Sequence, residues 1–274
     1  MRLRGIKRSN NVEMRGGSGQ RRAGGKSSLG VAGVLAVLAI GYFTGIDVSS
    51  LLQGGNVQQE TSTPAADDAA AVFSAQVLTT TEAVWGKVFN EQLSRQYVPP
   101  KLVIFNGVTQ SPCGGATGAT GPFYCPADSK AYLDTQFFQA LDRQMGAGGD
   151  FAAAYEVAHH VQNELGILPK VNAARQRATE TEANALTVRL ELMADCLSGI
   201  WARNVQGLME RGDLEEALNA ARKIGDDHLQ RQAGGVPQPH TFTHGTSEQR
   251  ARWFGRGYDT GSVGTCDTFA AARL

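Results

Sequence analysis

The chain has 274 residues, 26 basic and 26 acidic side chains, and an apolar share of 42%. That length allows one sizeable domain plus an attachment segment. The zero net charge hides an asymmetry: eight basic residues lie within 1–50 against Glu13 and Asp47, which leaves 18 basic and 24 acidic residues in 51–274. A mildly acidic body without a basic stripe argues against a nucleic-acid partner.

In chain order, residues 1–26 are rich in Gly, Arg and Ser and lack apolar periodicity, so they are expected to be a disordered basic segment. Residues 29–46 read LGVAGVLAVLAIGYFTGI, without one charge. A helix of that length spans about 27 Å, enough for the hydrocarbon core of a bilayer. The pattern predicts a membrane anchor over 27–46, with the basic side cytoplasmic and the rest translocated. A cleaved signal peptide is the alternative, but the basic region is long for one and no A-x-A site follows the apolar run. The polar residues 47–67 read as a linker.

The folded domain is expected over 68–274. Val72, Phe73, Val77, Leu78, Val84, Trp85, Val88 and Phe89 recur at helical spacing, up to the stop at Pro99 and Pro100. KLVIFN (101–106) is the best strand candidate, and 131–134 a second, short one. Phe137, Phe138, Leu141 and Met145 suggest a further helix, closed by a glycine-rich breaker. Asp150 can cap the next helix, which runs to about Leu165, and another long one covers about 179–205. A shorter helix begins at Asp213 with Glu216 as a capping-box variant, and Thr246 with Gln249 opens a last one. The expected class is α+β with helices dominant and a small sheet.

Cys113, Cys125, Cys196 and Cys266 all lie beyond the apolar run, and an even count in a translocated domain suggests disulfides. Cys113 and Cys125 bracket a glycine-rich loop, so the natural pairs are Cys113 with Cys125 and Cys196 with Cys266. A site of four thiolates is the alternative, although no C-x-x-C pair supports it.

Two segments carry chemistry. In Tyr155-Glu156-Val157-Ala158-His159-His160, Glu156 and His159 have the mutual spacing of H-E-x-x-H, in which two histidines four apart bind zinc and the Glu polarises water. Tyr155 stands where the first histidine would be. About thirty residues on, Glu191 and Asp195 form E-x-x-x-D on a predicted helix. A Glu from a later helix can complete a two-His, one-Glu site, and an Asp one turn on can orient an imidazole. The structural alternative is two exposed acids. His160 is turned about 100° from His159 and reads as a packing residue.

With these residues on the page, the chain resembles the bacterial neutral zinc metallopeptidase family. The resemblance rests on GPFYCPAD (121–128), EVAHHVQ (156–162), ELMADC (191–196), GDDHLQ (225–230), FTHGTSEQR (242–250) and the terminal CDTF (266–269). It implies a zincin-like fold behind one N-terminal transmembrane helix. It also implies a single-pass protein of the bacterial inner membrane, with a cytoplasmic N-terminus and a periplasmic or extracellular domain.

The expected activity is zinc-dependent hydrolysis of a peptide or protein substrate, with Glu156 as general base. Zinc would be held by His159 and Glu191, with Tyr155 at the vacant ligand position. His244, or Arg250 near it, would steady a developing oxyanion. The structural reading of that pair is a loop histidine bonded to backbone and an arginine paired with an acid. Family members read AYVIAHEVAHHVQ where this chain has AYEVAHHVQ from Ala154, as if four residues were lost. Such a loss turns the upstream helix by only about 40°, so the apolar stripe survives. Zinc binding is less tolerant, because a phenol with a pKa of about 10 is a poor ligand. A catalytically inactive relative that binds a peptide or partner is therefore the second reading.

Overall fold

A computed structural model describes residues 1–16, 64–65, 68–117, 121–135 and 149–274. The expected anchor at 29–46, most of the linker and the helix expected around Phe137 and Met145 lie outside the described residues. Among the described residues no helix is long and apolar enough to cross a membrane. The architecture is α+β and helix-dominated, with one four-stranded and one two-stranded sheet.

The first helix, α1 (Ala69–Leu93), starts where Asp68 accepts the Ala71 N–H at 3.0 Å. It ends at Ser94, which adopts the left-handed conformation with φ 51°. The prolines then lead into β2 (Lys101–Phe105). A hairpin of β3 (Val108–Ser111) and β4 (Gly114–Thr117) forms the small sheet, and β5 (Phe123–Cys125) and β6 (Lys130–Asp134) return to the large one.

One expectation is corrected here. Residues 1–16 are ordered, and they contribute β1 (Val12–Arg15), which pairs in parallel with β2 and sets Val12 opposite Leu102. Four residues of apolar-polar alternation inside a Gly- and Arg-rich stretch carry too little signal to be read locally. The strand exists because a distant chain segment supplies its partner. The sheet order is β1-β2-β6-β5, parallel except for the antiparallel β5 edge.

The central strands are covered on both faces, which is why β2 reads as a continuous apolar run. Leu102, Ile104, Ala131 and Leu133 face the main core with Leu78, Trp85 and Phe89 of α1. Val103, Phe105 and Tyr132 face the other side, where Phe123 stacks on Tyr132 with ring centroids 4.7 Å apart.

Helices α2 (Gly149–Glu164), α3 (Ile167–Arg175) and α4 (Glu180–Asn204) follow. Thr179 and Glu182 cap α4 reciprocally. Helix α5 (Asp213–Lys223) is capped by Gly212 without a side-chain bond, so the expected Asp213 cap is not used; Asp213 Oδ2 instead accepts the Glu210 N–H at 2.6 Å. The expected box of Thr246 and Gln249 does open the last helix, α7 (Ser247–Thr260), after the short α6 (Asp226–Gln232).

Helices α4 and α7 cross in backbone contact. A Cβ at Gly257 would stand 1.8 Å from the Cys196 carbonyl oxygen, and one at Gly199 would stand 2.1 Å from that of Phe254. Only hydrogen side chains allow this approach. Both expected disulfides form, Cys113–Cys125 with Cα atoms 5.7 Å apart and Cys196–Cys266 at 5.5 Å. The second fastens the C-terminal tail to α4 beside this crossing.

Candidate functional site

Helices α2 and α4 pack against each other beneath the β5 edge, and the candidate residues meet at that contact. Tyr155 and His159, four apart on α2, share a face, with ring centroids 5.1 Å apart and planes near perpendicular. Glu191 reaches them from α4. The Tyr155 hydroxyl donates to Glu191 Oε2 at 2.7 Å, and His159 Nε2 lies 3.6 Å from the same oxygen. The helical spacing thus brings together the three side chains expected to converge.

Gln162, which the sequence reading passed over, orients this histidine. Its amide nitrogen donates to the Leu190 carbonyl at 2.6 Å, which leaves its oxygen to accept from His159 Nδ1 at 2.9 Å. The other ring nitrogen is thereby turned toward Glu191. Burial opposes charge on His159, but the adjacent Glu191 carboxylate outweighs it and raises the imidazole pKa to about 9. Burial likewise acts to raise Glu191, yet His159 foremost, then His244 and the Tyr155 hydroxyl, hold it below the ordinary carboxylate range. Both shifts favour the charged forms, an imidazolium beside a carboxylate.

Glu156 is buried next to them. Burial pushes its carboxyl up to about 7, partly offset by His159 and by a backbone N–H of Tyr124. His160 has the packing role read from its angle. Its Nε2 donates to the Val98 carbonyl at 2.7 Å, and its Nδ1 accepts from the Tyr124 hydroxyl at 3.0 Å.

Asp195 differs from expectation, for it orients no histidine. It receives both guanidinium arms of Arg250 at 2.9 Å, and both side chains are fully buried. Arg250 therefore follows the structural reading, paired with an acid, and its guanidinium lies 5.0 Å over the Tyr155 ring. Burial acts to lower the Arg250 pKa, but Asp195 outweighs it and keeps the guanidinium charged.

His244 sits in the loop before α7 and is half-exposed. Its Nδ1 is 3.2 Å from Asp226 Oδ1, while Asp226 Oδ2 accepts the backbone N–H groups of Thr243, His244 and Gly245. The histidine is near enough to stabilise the Glu191 and Asp195 carboxylates, so it belongs to the same neighbourhood. The sequence reading did not select Asp226. The signal was present in GDDHLQ, but its partners lie 17 to 19 residues downstream.

Among the described residues no three His, Cys, Asp or Glu side chains form a group that could hold a metal ion. The third position belongs to Tyr155, whose phenol is pushed well above its ordinary value by burial and already donates its proton to Glu191. A neutral donor hydroxyl offers a cation little, since zinc sites are built from imidazole, thiolate and carboxylate. These residues do not fit a resident zinc ion.

The fold and the site define a class: a helix-dominated α+β domain whose E-x-x-H helix faces a glutamate from a later helix. The chain belongs to the family described as "Putative neutral zinc metallopeptidase", whose model matches residues 1–269. It is similar to the uncharacterized protein YpfJ of Escherichia coli K12, 46% identical over 98% of this chain and 99% of that one. It is also similar to the uncharacterized proteins Mb2605 of Mycobacterium bovis and Rv2575 of Mycobacterium tuberculosis, each 41% identical over 70% of this chain and 68% of theirs. No solved structure matches the chain.

Proposed function

We propose that this member of a zinc peptidase family engages an extended peptide or protein segment at the β5 edge without hydrolysing it. The observation that carries this reading is the Tyr155 hydroxyl 2.7 Å from Glu191 Oε2, where a metal ligand would stand. Edge strand β5 packs on α2, where Tyr124 touches His160 and its backbone reaches Glu156, so a peptide added to that edge would lie beside the Glu156 end of the site. In this reading His244, held by Asp226, presents a donor to a peptide carbonyl, and Glu156 lines the floor.

The hydrolytic reading retains one favourable observation. Glu156, raised to about 7, has the proton affinity of a general base. It would act only if Tyr155 left Glu191 and zinc took its place. The two disulfides favour an oxidising compartment of the cell envelope. The apolar run 29–46 supports attachment to the membrane there.

Elemental analysis of the purified chain after chelation and zinc reloading tests the proposal. The expected result is no stoichiometric zinc on a folded protein. One zinc per chain, abolished by Glu191→Ala, would overturn it in favour of the peptidase. The binding half is tested by photo-cross-linking an extended peptide, with the cross-link expected within 121–125.

A further inference from the structure

The N-terminal residues are built into the folded body at several points. Leu3 is buried in the main core. The Arg2 N–H donates to the Leu208 carbonyl at 2.6 Å, the Ser9 N–H to Ala75 at 3.1 Å, and the Leu102 N–H to Asn11 at 2.8 Å. Side chains add to this. Gln76 donates to the Leu3 and Ile6 carbonyls, and Glu82 accepts from Ser9 Oγ and Asn11 Nδ2. Glu13 of β1 reaches across β2 to Lys130 of β6 at 2.7 Å. These contacts tie 1–16 to α1, to β2, to β6 and to the turn before α5.

A hydrocarbon core is about 30 Å thick, so no such contact can be made across one. One crossing is what an apolar run of eighteen residues supports, and one crossing would set 1–16 and 68–274 on opposite faces. The folded structure and that topology exclude each other. The basic N-terminus favours retention in the cytoplasm. Against it stand the paired strand, the seated Leu3 and a β2 edge that would otherwise lose its ladder.

We propose that residues 1–16 and residues 68–274 lie on the same side of the membrane in the folded protein. A leader removed after export would take β1 with it, so the proposal also makes 1–16 a permanent part of the domain. It rests on strand pairing and stands whether or not the protein cleaves peptides.

The test places one added cysteine in each part of the full-length chain, Arg4→Cys and Glu248→Cys, both at exposed positions. The native cysteines are all paired and do not interfere. Bacterial cells expressing either variant are treated with a membrane-impermeant maleimide before and after permeabilisation. The expected result is the same labelling pattern for both sites, open on the outer face or protected on the inner one. Labelling of one site in intact cells and of the other only after permeabilisation overturns the proposal. Deletion of 1–16 from the purified chain is the second measurement. It should lower the unfolding midpoint by about 5 °C or more, and an unchanged midpoint would show that β1 is dispensable and the proposal wrong.

Discussion

Glu191 and Asp195 stand one turn apart on α4, the first largely and the second fully buried, and they are satisfied in opposite ways. Asp195 has a bidentate guanidinium on both oxygens, with Tyr155 and the α4–α7 crossing sealing the pair. Glu191 has one short hydrogen bond, from Tyr155, and an imidazole at the looser distance of 3.6 Å. Burial pushes Asp195 up to about 6 even with Arg250 beside it, whereas Glu191 is held low by several weaker partners. The difference separates a carboxylate committed to holding the fold from one whose partners can be exchanged. Glu191 is the one available for a ligand.

The largest effect should come from breaking the committed pair. Asp195→Ala leaves Arg250 buried without its counter-charge and should cost about 3–5 kcal/mol in chemical denaturation. A loss below about 1 kcal/mol would mean that water reaches this pair and that the contrast with Glu191 is smaller than drawn.

Next comes the exchangeable carboxylate. Tyr155→His puts an imidazole four residues before His159, facing Glu191, and should tighten zinc binding by about 100-fold or more. Competition with a fluorescent chelator measures it. Unchanged affinity would show that Glu191 is not free to turn toward a cation. Tyr155→Phe is milder. It removes one hydrogen bond to a charged group and should cost about 1–2 kcal/mol, read as a shifted urea midpoint.

The smallest effect belongs to Glu13, a third carboxylate that is paired but open to solvent at 37% exposure. Its hydrogen bonds to Arg15 and Lys130 lower its pKa from 4.5 to about 2. A lowered folded pKa gives stability that is present above 4.5 and lost as pH falls through 2. Screening keeps it below about 1 kcal/mol. Glu13→Gln should therefore lower the unfolding midpoint slightly at pH 7 and not at pH 2. An equal loss at both values would assign the effect to β1 packing rather than to charge.

Much of this molecule is legible in its sequence. The 3.6-residue periodicity marks the helices, the Thr246 and Gln249 pair marks the start of α7, and the loop between Cys113 and Cys125 marks its own disulfide. Each is a local pattern, settled by residues a few positions apart. The E-x-x-H spacing likewise determines that Tyr155 and His159 share a face, whatever they meet. What Tyr155 meets is a different kind of fact. That its hydroxyl satisfies Glu191, that Gln162 turns His159, that Arg250 takes Asp195 out of the site, and that Asp226 gathers the loop around His244 all depend on which distant surfaces pack together. The same holds for β1, whose four residues become a strand only because β2 offers an unpaired ladder. Local spacing decides direction along a helix or strand. Distances between partners far apart in sequence are decided by the core that closes between them.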